Sequence, residues 1–361
     1  MKEYKIGVLG ATGMVGQRFV TLLAQHPRFN LCVVAASGRS AGKPYHEAVQ
    51  GRWAMESPIP DSARDLIVHD VHADAEAIAG SVDFVFCALD MSKDEIKNLE
   101  EMYAQLECPV VSNNSAHRWT DDVPMVIPEL NSVHLEVIES QRKRLGTRRG
   151  FIAVKSNCSL QSYVPALHPL RKYGLEHALV CTYQAISGAG KTFATWPEMH
   201  DNCIPYISGE EEKSEREPLK IWGCLDTDRI IPAQSPCITA QCIRVPCSNG
   251  HLAACFMKFA DGRAPDMETI LHEWDTFTSP IDSLSLPSAP EKFLTYFNEN
   301  DRPQTGKDRM LENGMGISIG RLRPDTQYDY KFVCLSHNTL RGAAGGAILL
   351  AELLCARGYM E

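Results

Sequence analysis

A cysteine attacks a carbonyl as its thiolate, so a chain with thirteen cysteines raises the question of which one sits where a thiolate is stabilised. Cys158, in SNCSL (residues 156–160), follows the apolar run 151–154 and precedes a segment of helical periodicity. Ser156 and Asn157 are helix-capping residue types. The spacing predicts Cys158 at or near the first turn of a helix, whose partial positive charge lowers a thiol's pKa. The position also falls at a predicted domain boundary, where clefts form. Cys87 and Cys334 lie inside apolar runs, Cys355 belongs to the last helical segment, and Cys247 sits in a turn with nothing nearby to activate it. Cys237, Cys242 and Cys247 recur every five residues, but on a strand that spacing sends successive side chains to opposite faces. With an odd cysteine count and no CxxC, reduced thiols are expected, with no disulfide framework and no metal site.

A redox partner for this thiol is suggested near the N-terminus. GATGMVG (residues 10–16) joins a strand-like run (4–9) to a helical one (15–25). In that context Gly10, Gly13 and Gly16 let the backbone turn tightly and approach a pyrophosphate held on the N–H groups of the helix start. The next strand (31–36) runs into SGRSAGK, with no carboxylate to take a ribose 2′-hydroxyl. Arg39, with Ser37 or Ser40, suits a 2′-phosphate, so NADP is the expected cofactor. A thiolate beside a nicotinamide implies attack on an aldehyde, hydride loss from the thiohemiacetal, and an acyl thioester. A general base is then needed, and twelve histidines compete for the role. His251 follows the turn PCSNG and stands seven residues after Arg244. A hairpin at that turn would aim both at one cleft.

The elements that must position these groups divide into two kinds. Up to about residue 150, continuous apolar strands (4–9, 31–36, 82–89, 109–112) alternate with helices, including a charged one over 92–106. This predicts a parallel sheet covered on both faces. Beyond it, longer strand-like runs (178–186, 242–245, 251–259) predict an antiparallel sheet carrying helices, an α+β unit. Pro165 and Pro169 are expected to bend or shorten the helix after Cys158. The last segment, TLRGAAGGAILLAELLCARG, reads as an apolar helix of about five turns that packs back on the first unit.

Composition narrows the function. The 361 residues exceed one ordinary core, and 44% hydrophobic with 22% charged residues is the make-up of a soluble globular protein. A net charge of −9 argues against generic binding to nucleic acid or an anionic membrane. The one basic cluster (Arg142, Lys143, Arg144, Arg148, Arg149) reads as a solvated face. No run approaches the roughly 20 apolar residues of a membrane span, and MKEYKIGVLG carries no signal-peptide pattern, so a cytoplasmic location is expected.

GATGMVGQRF, ASGRSAGK, SNNSAHR, MVIPELN, SNCS, YQAISGAG, ISGEEEK, RVPCSNGH and SIGRLR occur in this order over residues 7–323. Together they resemble aspartate-semialdehyde dehydrogenase, in the pattern of its archaeal and fungal branch. The resemblance implies a Rossmann-type NADP-binding domain over 1–156, completed by a C-terminal helix over 339–361. A catalytic and oligomerisation domain of glyceraldehyde-3-phosphate-dehydrogenase-like type would span 157–338. The implied reaction links β-aspartyl phosphate to aspartate semialdehyde, with NADPH, in lysine, methionine and threonine biosynthesis. By resemblance Cys158 is the nucleophile, His251 the acid/base, and Gln184 orients substrate or thioester. Arg244 would hold the substrate carboxylate, Glu210 its ammonium, Lys213 and Arg118 the phosphate, and Asn157 would line the same site. Thr12, Gly13, Met14, Val15, Arg39, Ser40, Ser187, Gly188 and Asn338 would meet the cofactor, and a homodimer or homotetramer is implied.

The charges agree with this carry-over, because one carboxylate and three basic side chains match a substrate with one ammonium and two anionic groups. From its composition alone, GEEEK would read as a solvated charged run. The chain departs from the family's Asn-Cys-Ser-Thr at Leu160, where altered packing or capping of the helix start is expected. The alternatives are N-acetyl-γ-glutamyl-phosphate reductase, a related acyl-CoA reductase, and a catalytically inactive dinucleotide-binding regulator. Glu210 separates the first from the main reading, since an acetylated substrate has no free ammonium.

Overall fold

The computed structural model describes residues 2–361. Seven strands form the first sheet: β1 (Tyr4–Leu9), β2 (Phe29–Ala36), β3 (Val68–Asp70), β4 (Phe84–Cys87), β5 (Val110–Ser112), β6 (Met125–Val126) and β7 (Ile152–Lys155). They lie in the order β3-β2-β1-β4-β5-β7-β6, and every pairing is parallel. β4, β5 and β7 are buried residue by residue, which is why they read as unbroken apolar runs without alternation. The charged helix Lys93–Gln105 begins where expected: the Ser92 hydroxyl accepts from Glu95 N–H and the Glu95 carboxylate accepts from Ser92 N–H, a reciprocal cap.

The second sheet contains β8 (Leu175–Gln184), β11 (Cys237–Arg244), β12 (His251–Phe259), β13 (Leu294–Phe297), β14 (Ile317–Pro324) and β15 (Tyr330–Ser336). A small pair, β9 (Cys224–Asp226) and β10 (Arg229–Ile231), stands apart. The order β11-β8-β12-β15-β14-β13 overturns the expected hairpin. β11 and β12 do not pair with each other; β8 runs between them, parallel to β11 and antiparallel to β12. PCSNG is therefore a crossover past the end of β8. The sheet is mixed rather than antiparallel, since β13 also pairs β14 in parallel.

The C-terminal segment docks on the first unit as anticipated, but not as five continuous turns. A wide turn, Leu340–Ala344, in which Ala343 leaves helical geometry, precedes a helix of twelve residues, Gly345–Ala356. Twelve residues are about three turns. That helix is buried through Cys355 and shares a core with Ile6, Val8, Phe84, Phe86, Val111 and Ala153. No single polar face is needed by a helix enclosed on all sides, which explains its uniform hydrophobicity. In the basic cluster Lys143, Arg144 and Arg148 are exposed, as expected, while Arg142 and Arg149 are half-buried. Arg142 donates to the carbonyls of Arg149 and Tyr359, and Arg149 to those of Glu107 and Met360, so these two fasten the chain's end. Among the described residues no helix is long and apolar enough to cross a membrane.

Candidate active site

β7 ends at Lys155, and the next helix, Leu160–Leu167, begins only after a tight turn. Asn157 makes that turn: its side-chain oxygen accepts from both the N–H and the hydroxyl of Ser159, at 2.7 Å each. Cys158 thus stands two residues before the helix, near its first turn as the spacing predicts. Pro165 lies within the helix, and Pro169 falls in the 3₁₀ turn His168–Tyr173 that continues it. Leu160, the residue that departs from the family motif, is the first residue of the helix and wholly buried in the core around Ile152, Val154 and Leu167. Its effect is on the packing of that core.

Three candidate residues meet at one end of the second sheet because of the strand order. Gln184 ends β8, Arg244 ends β11 directly opposite it, and His251 opens β12 one position beyond the Leu252–Tyr183 pair. The His251 Nε2 lies 3.5 Å from the Cys158 sulfur. Its Nδ1 accepts the Ala185 N–H at 3.1 Å, so in the neutral ring the proton resides on Nε2 and faces the sulfur. Burial and the neighbouring Arg244 pull the imidazole down to about 3, which keeps it neutral across the physiological range. Arg244 is buried and donates to the Ala185 carbonyl at 2.7 Å. Gly188 belongs to this group too: a Cβ there would stand 2.9 Å from Arg244 Nη1 and 3.1 Å from His251 Nε2.

The helix Glu210–Ile221 supplies the acidic side of the pocket. Glu210, Ser214, Glu217 and Ile221 share its buried face, spaced four, three and four residues apart. Glu210 accepts from Asn157 at 3.0 Å, Lys213 at 2.8 Å and Gln184 at 3.3 Å. Burial alone would raise its carboxyl, but Lys213 and these amides outweigh that and lower it. Glu217 pairs with Arg118 at 2.9 Å and accepts the Asn157 N–H at 2.8 Å. Arg118 spends two further N–H groups on the carbonyls of Lys155 and Asn113. The loop carrying Arg118 is held by Lys220, which donates to the carbonyls of Arg118, Thr120 and Val123.

The Cys158 thiol is raised rather than lowered. Burial, then Glu210, push it up, against the opposing pull of Lys155, Arg118 and Arg244.

A second cleft, of about 360 Å³, lies at the carboxyl ends of the first sheet and is lined by Gly10, Thr12, Gly13, Ser37, Arg39, Ser40, Arg52, Leu89 and Asp90 among others. It has the features of a dinucleotide cradle. Gly10 has φ +87°, and a Cβ there would meet the Ala88 carbonyl oxygen at 2.3 Å. The adjoining helix Met14–Leu23 has neither a side-chain cap nor an acidic residue in its first turn, which leaves its N–H groups for an anion. Arg39 is exposed, Ser40 is buried, and Arg52 ties the Ser40 hydroxyl at 3.0 Å. Of the carboxylates here, Asp90 lines the cleft, and Asp70, which ends β3, accepts the N–H groups of His72 and Ala73. Met14 and Val15 form the first helical turn. Ser187 and Asn338 lie away from this cleft: Asn338 donates to Ser187 at 2.8 Å and accepts the Gly250 N–H beside His251.

Comparison with known proteins bears on both halves. Residues 5–138 match the family described as semialdehyde dehydrogenase, NAD binding domain, and residues 167–341 match semialdehyde dehydrogenase, dimerisation domain. An aspartate-semialdehyde dehydrogenase of Archaeoglobus fulgidus is 42% identical over 98% of each chain, and that of Candida albicans is 39% identical over the full length of both. This chain belongs to the aspartate-semialdehyde dehydrogenase family. The crystal structure of the Candida albicans aspartate-semialdehyde dehydrogenase with NADP superimposes with a TM-score of 0.88, at 36% identity over 99% of this chain and 100% of that one. A Vibrio cholerae aspartate-semialdehyde dehydrogenase II, at 24% identity and TM-score 0.72, shares the fold.

Within this aspartate-semialdehyde dehydrogenase family member, Cys158, His251, Gln184, Arg244, Glu210, Lys213, Arg118 and Asn157 form one connected group. Glu217, Lys155 and Arg52 went unrecognised in the sequence. For Glu217 a signal existed, because it lies seven residues after Glu210 on the same helical face. Replacing Glu217 by Ala should leave Arg118 buried and unpaired and cost about 3–5 kcal/mol. Urea unfolding of Glu217→Ala against wild type measures this; an unchanged midpoint would show the pair contributes nothing.

Proposed function

We infer that this chain reduces β-aspartyl phosphate to aspartate semialdehyde with NADPH, and runs the reverse reaction with phosphate and NADP. The observation that carries the assignment is the Cys158–His251 pair, 3.5 Å apart, beside the carboxylate of Glu210. The Cys158 thiolate attacks the acyl carbon; a C–S bond forms, the C–O bond to phosphorus breaks, and phosphate leaves with the electron pair. NADPH, when bound along the Gly10–Arg39 cleft, supplies the hydride that reduces the resulting thioester. His251 donates its Nε2 proton to the thioester oxygen as negative charge develops there. It recovers that proton when the C–S bond breaks and the aldehyde leaves.

Each remaining side chain has a task set by its charge. Arg244 is placed for the substrate carboxylate, through a planar guanidinium that binds it bidentately. Glu210 receives the ammonium, which takes over from the long Gln184 contact and frees that amide to orient the acyl group. Lys213 and the two unused N–H groups of Arg118 receive the phosphate. Ser187, Gly188 and Asn338 close the nicotinamide end, next to His251. Residues 1–156 with 339–361 act as the cofactor domain and 157–338 as the catalytic and oligomerisation domain. The working form is a cytoplasmic homodimer or homotetramer.

The deciding assay offers phosphate and NADP with either aspartate semialdehyde or N-acetylglutamate semialdehyde. NADPH production with the first alone is expected, because Glu210 would face a missing charge in the second. Turnover of only the acetylated aldehyde would sink the assignment. Arg39→Ala should raise the Kd for NADPH about 10- to 100-fold while leaving that for NADH nearly unchanged, as loss of a charge-assisted phosphate contact requires. Fluorescence titration with both cofactors measures it, and equal weakening would remove Arg39 from the 2′-phosphate.

A further inference from the structure

Lys155 ends β7 three residues before Cys158, and its side chain is buried. An ammonium has three N–H groups, yet only the Ser156 carbonyl, at 2.8 Å, accepts from it. Among the described residues no carboxylate lies within ion-pair distance of its Nζ. The cations around it are otherwise occupied: Arg118 is paired with Glu217, and Arg341 with Glu129. A buried charge without a counter-ion is costly, so a lysine in this place calls for an explanation.

The C-terminal segment supplies one. A Cβ at Gly342 would stand 2.8 Å from the Cys158 Cβ, and one at Gly346 would stand 3.0 Å from the Lys155 Cε. The C-terminal backbone therefore closes on the Cys158 Cβ at Gly342 and on the Lys155 stem at Gly346, and Lys155 stands three residues before Cys158 in the chain. We propose that Lys155 is the counter-ion of the Cys158 thiolate, a positioning residue that favours ionisation of the nucleophile without touching substrate. The inference rests on the reading of Cys158 as nucleophile.

The electrostatics of the pocket leave this task to Lys155. His251 remains neutral, and Arg244 is committed to the Ala185 carbonyl and the substrate. Burial pulls Lys155 down to about 7; Cys158 is the strongest influence opposing that fall, while Arg118 and Arg341 depress it further and Glu217 raises it. A proton leaving the Cys158 sulfur for the Lys155 nitrogen would convert an uncharged thiol–amine pair into thiolate and ammonium, with no net change in charge.

The test is alkylation of Cys158 by iodoacetamide as a function of pH, followed on its peptide by mass spectrometry. Lys155→Met keeps the stem and removes the charge, and Lys155→Gln serves the same reading should the first variant not fold. In either variant the alkylation midpoint should move up by about one pH unit or more, and the rate at pH 7 should fall about 10-fold. Thermal stability should be kept or increased, because a buried unpaired ammonium has been removed. An unshifted midpoint would overturn the proposal whatever the thermal stability, and lowered stability beside it would make Lys155 structural. Failure of iodoacetamide to label Cys158 in the wild type would instead count against Cys158 as nucleophile.

Discussion

Cys158→Ala is expected to lower kcat by about 10⁴-fold or more, the scale on which removal of a covalent nucleophile acts. No other thiol can take its place. Cys242 is buried behind Ser214, Cys87 and Cys334 are enclosed in strands, and Cys247 lies by Thr305 on the outer side of the crossover. The Gly10–Arg39 cleft shares no residue with the Cys158 turn, so NADPH affinity should change less than about twofold. Steady-state assay with fluorescence titration measures both quantities. Activity within about tenfold of wild type would refute the nucleophile assignment, given the size of effect such a residue carries.

His251→Asn should reduce turnover by about 10² to 10⁴-fold, the range for a positioned acid/base group. The step it slows follows from the tautomer. Because the Ala185 N–H occupies Nδ1, the ring offers a proton at Nε2 instead of accepting one there. Acylation by β-aspartyl phosphate should therefore survive, and reduction of the thioester should stall. In a rapid-quench experiment the variant would release about one phosphate per site in a burst and then nearly stop. Loss of the burst together with turnover would mean that His251 takes the thiol proton, contrary to the hydrogen bond from Ala185.

The first sheet was legible because its strands are buried on both faces and its glycine loop has one structural context. The second sheet was less so. PCSNG has the composition of a hairpin turn, but nothing local in residues 237–259 reveals that β8, over fifty residues earlier in the chain, inserts between β11 and β12. The conclusion that Arg244 and His251 share a cleft holds for a different reason: both lie at the Gln184 end of β8. The acidic helix shows the same limit. GEEEK is charged enough to pass for solvated chain, yet Glu210 and Glu217 are drawn inward by Asn157, Lys213 and Arg118, partners 3 to 99 residues away in sequence. Lys155 was invisible because a lysine closing an apolar strand ordinarily turns to solvent, whereas the glycines at 342 and 346 bring the C-terminal backbone over it. The thiol's raised pKa was not legible, because its causes are burial and Glu210, which lies 52 residues further along the chain.

On the proposed reaction, Cys158 carries the acyl group between phosphate and hydride transfer. This is tested most directly by mixing the protein with β-aspartyl phosphate in the absence of NADPH, quenching in acid and mapping peptides by mass spectrometry. One aspartyl group is expected on the Cys158 peptide, discharged as aspartate semialdehyde when NADPH is added before the quench. An adduct on another residue, or one that persists in Cys158→Ala, would contradict it.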